Sequence, residues 1–359
     1  MSKYYLGIMC GTSLDSIDIS IVSCSASKFK VFGFKEYRLH DSYKQRINNL
    51  KQLNTNQELT KLNSDITNLV SNNILDILKT YKLTTNDISA IGLSGITLNH
   101  RPDLKISTYL GNPKLLGSTV DIPVVADFRQ TDIDAGGQGA PLTGYFHEYL
   151  TLLTGKSMIY INLGGFANIS LNHKSELISY DSGPANYLID LWCREKFDVE
   201  FDLDGQLASM GNINTDLLVK MLQEKYFKKK SPKSTGFELF NRDWIKSKLS
   251  EVGYVKEIDV LSTLTYLTVV SISNEINIYK KSLDKIFFYG GGSFNKLITN
   301  GILDLTNLKK ISKLRFSINE KNLESTAFAW LAYMRVNKKM FAKSKITGAK
   351  KSRYLGNIY

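Results

Sequence analysis

Cysteine and histidine are scarce in this chain of 359 residues, with three of the first (Cys10, Cys24, Cys193) and four of the second (His40, His100, His147, His173). No two cysteines form a CxxC pair and no two histidines stand at metal-ligand spacing. That excludes a disulfide framework and a zinc centre, and it predicts a reducing, cytoplasmic setting. Any metal would have to come with carboxylates or with a ligand phosphate. No window approaches the roughly 18 uninterrupted apolar residues of a membrane span. The opening MSKYYLGIMCG has no basic stretch followed by a sustained apolar run, so no signal peptide is expected. Acidic side chains are the minority, 34 against 46 Lys and Arg, for a net charge of +12. Much of the excess lies in EKYFKKKSPK (224–233) and KKMFAKSKITGAKKSR (338–353). No helix-turn-helix, RNP or zinc-finger pattern accompanies these runs, so they read as solvated basic faces, with no nucleic-acid partner. A positive field of this size still favours anionic substrates.

What is present is alternation. KYYLGIMC (3–10) and DISIVSC (18–24) read as a hairpin and KVFGFKEYRL (30–39) as a third strand. Leu59, Leu62, Ile66, Leu69, Ile74 and Leu78 mark an amphipathic helix over 56–82. ISAIGLSG (88–95) and IPVVADFR (122–129) read as buried strands. From 158 the order repeats, MIYINLGGFANISLN being again strand, glycine turn, strand. Residues 212–227, 257–280 and 322–336 read as helices, and KIFFYGGGSFNKLI (285–298) as strand, triple-glycine turn and helix start. Alternating strands and helices demand an α/β fold. The length and the 43% hydrophobic content suffice for two domains.

The duplicated strand–glycine–strand unit, at Gly11 and again at Gly164, predicts two lobes facing one another across a cleft. Glycine turns let backbone amides approach a phosphate closely. Neither a Walker motif nor a GxGxxG opening a helix is present, so a nucleotide would be held by the paired-hairpin arrangement. In GIMCGTSLDSID (7–18), Gly11, Thr12, Ser13, Leu14, Asp15, Ser16, Ile17 and Asp18 are the candidate ATP-binding residues of the first lobe. Asp15 and Asp18 are further candidates to hold Mg2+ through water. Gly164, Gly165 and Asn168 are their counterparts in the second lobe, together with Gly290, Gly291 and Gly292. The bland alternative for either hairpin is a plain β-turn.

Several segments together resemble the anhydro-N-acetylmuramic acid kinases of the actin-like ATPase superfamily. They are GIMCGTSLDSID, VVADFRQTDIDAGGQGAPLTGYFHEYL (124–150), INLGGFANIS (161–170), DSGPANYLID (181–190), DLDG (202–205), GGGSFN (290–295), ESTAFAWLAY (324–333) and TGAKKSRYLGNIY (347–359). The resemblance implies a two-lobed, actin-like (ribonuclease H-like) α/β fold with a duplicated mixed sheet and flanking helices. It assigns 1–135 with 340–359 to the first lobe and 136–339 to the second. It further implies a cytoplasmic kinase of cell-wall recycling that uses ATP and Mg2+ and acts on a small amino sugar, and it allows a homodimer. Asp181 matches the catalytic base, with helix capping as its structural alternative. Arg129 and Gln138 match the sugar-side region, a guanidinium being suited to pair with a lactyl carboxylate. Glu324 matches a carboxylate near the substrate, with a first-turn helix role as its alternative. The chain departs from the family pattern at Ser94, Ile96 and Tyr109, and at Ser16 and Ala185. The first three lie on the sugar side, so a kinase for another sugar and a non-catalytic nucleotide-binding protein are the competing expectations.

Overall fold

In the computed structural model, residues 4–359 are described except 12, 26–27, 54–55, 156–157, 174–175, 232, 280–282, 284 and 343–344. Thr12, named above as a candidate, therefore lies outside the described residues. The chain divides into two compact units, Met1–Tyr149 with Leu314–Tyr359, and Leu150–Lys313. Residues 136–149 and 314–339, assigned to the second lobe from the sequence, cluster with the first unit.

The strands run β1 (Tyr4–Cys10), β2 (Ser16–Cys24), β3 (Phe29–Arg38), β4 (Ile88–Leu93), β5 (Ile96–Arg101), β6 (Ile106–Leu110), β7 (Val124–Ala126), β8 (Ile159–Leu163), β9 (Phe166–His173), β10 (Glu176–Pro184), β11 (Lys285–Tyr289), β12 (Lys309–Lys310) and β13 (Asn357–Ile358). The helices are α1 (Asp41–Leu53), α2 (Asn56–Thr80), α3 (Pro113–Val120), α4 (Phe128–Asp134), α5 (Thr143–Thr154), α6 (Asn186–Phe197), α7 (Thr215–Leu222), α8 (Arg242–Val252), α9 (Glu257–Tyr279), α10 (Lys296–Thr306) and α11 (Leu323–Val336).

Both main sheets follow one plan. In the first unit the order is β3-β2-β1-β4-β7, with β13 added at the β7 edge. In the second it is β10-β9-β8-β11-β12. In each, the first three strands form an antiparallel meander and the last two run parallel to the first. This repeated topology makes a duplicated mixed sheet. Each unit has its own core. In the first, alternation in β2 turns Ile17, Ile19 and Ile21 inward, and Leu62, Ile66, Val70 and Ile74 of α2 line one helical face. In the second, β9 and β10 pack against α9, which is buried over most of its surface.

Two sequence readings change. The strand expected over 122–129 stops at Ala126, because Asp127 adopts φ +59 and α4 begins at the next residue. The helix expected over 212–227 is α7, capped by Asn214, followed by a separate 3₁₀ turn at Lys225–Lys228. That break lets Tyr226 turn inward, where it is 2% exposed.

In the first unit α11 lies directly on β1 and β4. A Cβ on Gly92 would come within 2.1 Å of the Phe328 carbonyl oxygen, and one on Gly7 within 1.8 Å of the Ser325 oxygen. Only glycine admits this approach, because the obstacle is backbone rather than a movable side chain. Gly92→Ala should cost about 1–3 kcal/mol by overpacking. Denaturant unfolding measures this, and a wild-type midpoint would contradict the packing.

Candidate active site

In the second unit, strand register builds a polar row. Asn162 on β8 pairs with Asn168 on β9, and Asn168 pairs with Asp181 on β10. Directly opposed residues of antiparallel strands share a face, so the three side chains stand on one side of the sheet. Asn168 Oδ1 is buried and meets no described hydrogen-bond donor. Asp181 is half-buried. Its Oδ2 accepts the Thr235 N–H at 3.1 Å, its own N–H donates to the Lys233 carbonyl at 3.1 Å, and its carbonyl accepts the Tyr226 hydroxyl at 2.7 Å. Lost hydration raises the carboxyl to about 6; the Thr235 amide opposes that rise and the charge of Glu238 adds to it. A carboxyl so placed exchanges a proton readily near neutral pH. It does not cap α6, whose N-cap is Ala185 with no side-chain bond.

The glycines of this unit come together at the ends of β8 and β11. The carbonyls of Gly164 and Gly165 accept the amides of Ala185, Asn186 and Tyr187 at 2.9–3.0 Å, which ties the turn to the start of α6. Gly290 has φ +81, and a Cβ there would meet Asn162 Oδ1 at 2.4 Å. Gly292 is equally closed, with Asn186 Oδ1 at 2.7 Å, whereas Gly291 faces open space with nothing within 4 Å. The triple glycine thus has two packing positions around one open one.

In the first unit the candidates separate by role. Leu14 and Ile17 are core side chains, 3% and 1% exposed, so only their backbone is available to a ligand. Gly11, Ser13, Leu14 and Asp15 form the turn, with Leu14 N–H on the Gly11 carbonyl at 3.1 Å and φ +59 at Leu14. Asp15 gives its carboxylate to Lys44 at 2.8 Å. Asp18 accepts the Ser16 hydroxyl at 2.8 Å.

Asp18 belongs instead with Glu324 and Arg129. Burial, then the charge of Asp18, raise Glu324 to about 7, against the pull of Arg129. Burial raises Asp18 to about 6; Ser16 opposes that rise and Glu36 adds to it. Burial also holds the Arg129 guanidinium below its usual value, with Glu324 and Asp132 opposing. Arg129 Nη1 donates to the Gly139 carbonyl at 3.0 Å, while Nε is buried and meets no described acceptor. The loop it holds is fixed from beneath: Asp132 accepts the Gly139 amide at 2.8 Å and the Thr347 hydroxyl at 2.9 Å, and it pairs with Arg353. Gln138 is tied through its amide to the Thr347 carbonyl at 2.7 Å and exposes its side chain.

The sequence pattern did not single out His100, on β5. Burial first, then the neighbouring Arg129 charge, lower it to about 4, and its Nδ1 lies 3.2 Å from the Ser107 hydroxyl. No spacing rule would have found it, since its neighbours come from the facing β6 strand and the 136–141 loop.

The raised carboxyls make stability depend on pH. A carboxyl whose pKa is higher in the folded than in the unfolded state favours folding while protonated, and that contribution is lost as pH rises through the folded value. Glu324→Gln should therefore match the wild type in denaturant midpoint at pH 4 and exceed it at pH 8. Equal midpoints at pH 8 would contradict the assignment. Separately, Gly292→Val should destabilise the unit, whereas Gly291→Val, which faces open space, should leave its thermal midpoint near the wild-type value; thermal melting distinguishes the two.

The sequence profile described as "Anhydro-N-acetylmuramic acid kinase" matches residues 3–359. Curated proteins of that name are similar over nearly their whole lengths. The one from Sulfurimonas denitrificans is 36% identical over 370 residues, covering 100% of both chains. The one from Hydrogenovibrio crunogenus is 33% identical over 360 residues, covering 100% of this chain and 98% of its own. The one from Sulfurovum is 36% identical over 361 residues, covering 99% and 98%. With the profile matched from end to end and relatives at this identity over full length, the chain belongs to the anhydro-N-acetylmuramic acid kinase family.

Proposed function

We propose that this kinase uses ATP and water to open the 1,6-anhydro bridge of 1,6-anhydro-N-acetylmuramic acid and phosphorylates O6, giving N-acetylmuramic acid 6-phosphate and ADP. The observation that carries the reading is Asp181, a half-buried carboxylate on a polar strand face, held by one backbone amide and titrating about 6. In the proposed step Asp181 takes a proton from water as the water oxygen bonds to the anomeric carbon. The bond from that carbon to O6 breaks, and O6 takes the γ-phosphoryl group as ADP leaves. One carboxylate thus acts as in an inverting glycosidase.

Arg129 suits the lactyl carboxylate, because its buried Nε has a hydrogen to donate. The open Gly291 and the Gly164–Gly165 turn suit the nucleotide, their backbone being reachable without a Cβ in the way. For magnesium, Asp18 is the better placed of the two, because one oxygen of the exposed Asp15 carboxylate already meets Lys44. Among the described residues no three His, Cys, Asp or Glu side chains form a metal-holding group. Magnesium at Asp18 would share its shell with phosphate oxygens and water, and when bound it would neutralise charge on the transferring phosphoryl group. No helix among the described residues is long and apolar enough to cross a membrane. We place the protein in the cytoplasm, acting on small molecules rather than nucleic acid, and a homodimer is compatible with this reading.

A second reading, a kinase for a different sugar, draws support from Tyr109. Its ring lies against Gly95, where a Cβ would meet Tyr109 Cδ2 at 2.1 Å, and its hydroxyl donates to Asp127 at 2.7 Å. Beside it Ser94, Thr97 and Arg129 line a space of only about 10 Å³. This is room for about one water molecule.

Asp181→Asn separates catalysis from architecture. The amide keeps the shape and can still accept the Thr235 N–H, but it lacks useful basicity, so turnover should fall about 10²–10⁴-fold with ATP affinity unchanged. Coupled ADP assay, mass spectrometry of the sugar product and calorimetry read these out. Wild-type turnover in the variant would refute the role of the base.

A further inference from the structure

We propose that Lys233 and Glu275 are positioning residues for Asp181: their buried ion pair clamps the segment that holds the Asp181 carboxylate in place. The inference rests on the reading of Asp181 as the base. Lys233 closes the basic run 224–233, which the sequence alone presents as a solvated face. Its side chain is instead 1% exposed, with Nζ 2.5 Å from Glu275 Oε1 on α9. The other carboxylate oxygen of Glu275 accepts the Tyr180 hydroxyl at 3.0 Å, and Nζ stands 4.9 Å from the centre of the Tyr226 ring.

The same short segment reaches Asp181 twice through its backbone. The Lys233 carbonyl takes the Asp181 amide, and two residues on the Thr235 amide donates to the Asp181 carboxylate. Residues 233–236 belong to neither helix nor strand, so no ladder fixes them. What anchors them is the Lys233 side chain, passing inward to α9. Removing an ammonium and a carboxylate from water is costly, and packed apolar side chains can often stabilise a fold as well. The charge therefore makes best sense as a device of placement: Nζ has one buried acceptor at its end, so the chain carrying Thr235 has one register. Around Asp181 stand the Thr235 amide and Glu238 from this segment and its continuation, and the Tyr226 hydroxyl from the 3₁₀ turn. Tyr180, on its own strand, and the Lys233–Glu275 pair complete the set.

The test compares Lys233→Met, Lys233→Arg, Glu275→Gln and Asp181→Asn in the full chain, with kcat measured as a function of pH. Loss of the clamp should lower kcat about tenfold in Lys233→Met while KM for ATP stays within about twofold, because a misplaced base slows chemistry without touching the nucleotide. Loss of the Thr235 amide removes a contact that favours the ionised carboxylate, so the acid limb of the kcat profile should move to higher pH. Lys233→Arg should restore part of the loss. If Lys233→Met does not fold, Glu275→Gln, which keeps volume and hydrogen-bond partners, should show the same limb shift with a smaller drop. Folded Lys233→Met or Glu275→Gln with wild-type kcat and an unmoved limb, beside an inactive Asp181→Asn, would overturn the clamp alone. An active Asp181→Asn would overturn the base and the clamp together.

Discussion

The register between β9 and β10 is the constraint on which the second unit depends. Asp181 stands opposite Asn168, and the register shifts between Asp181 and Gly183. A slip of one residue would turn the carboxylate to the other face of the sheet. The bulge also bends the strand so that Ala185, Asn186 and Tyr187 deliver their amides to the Gly164–Gly165 turn. One strand therefore sets both the carboxylate and the glycine turn, and a fault in either displaces the other.

Buried carboxylates in this protein divide into two kinds. Asp132 is 0% exposed and fully served, by the Gly139 amide, the Thr347 hydroxyl and the Arg353 guanidinium. It is an architectural charge, binding the 136–141 loop to the C-terminal segment that also supplies β13. In Asp18, Glu324 and Asp181 lost hydration outweighs the groups that favour the charged form, and each is pushed up to between about 6 and about 7. Under-compensation of this kind costs stability, and a fold retains it where the group has chemistry to perform. On the proposed function, the contrast separates residues that hold the fold from residues that would face a substrate.

The strands around the glycine turns were legible in the sequence because β-branched residues alternate there with polar ones, as in Ile17–Asp18–Ile19. The long helix α2 was legible from its spacing. Asp181 and the glycines became candidates through their motifs. The division of labour within the motifs was not legible. Nothing in GTSLDSID distinguishes Asp15, spent on Lys44, from Asp18, which is electrostatically coupled to Glu324 on a helix about 300 residues away. Lys233 looked like its neighbours in a basic run, because burial of one lysine among several depends on a partner 42 residues on. The hairpin β5–β6 escaped for the same reason, tertiary context overriding a weak local pattern.

On the proposed mechanism, water activated by Asp181 bonds to the anomeric carbon while the bridge oxygen, not water, takes the phosphoryl group. Turnover of 1,6-anhydro-N-acetylmuramic acid in ¹⁸O-water, quenched early and corrected with unlabelled product incubated in the same water, tests it most directly. That course puts one ¹⁸O at the anomeric position and none in the transferred phosphoryl group. Label in the phosphoryl group, or an anomeric position that gains no more than the exchange control, would contradict it.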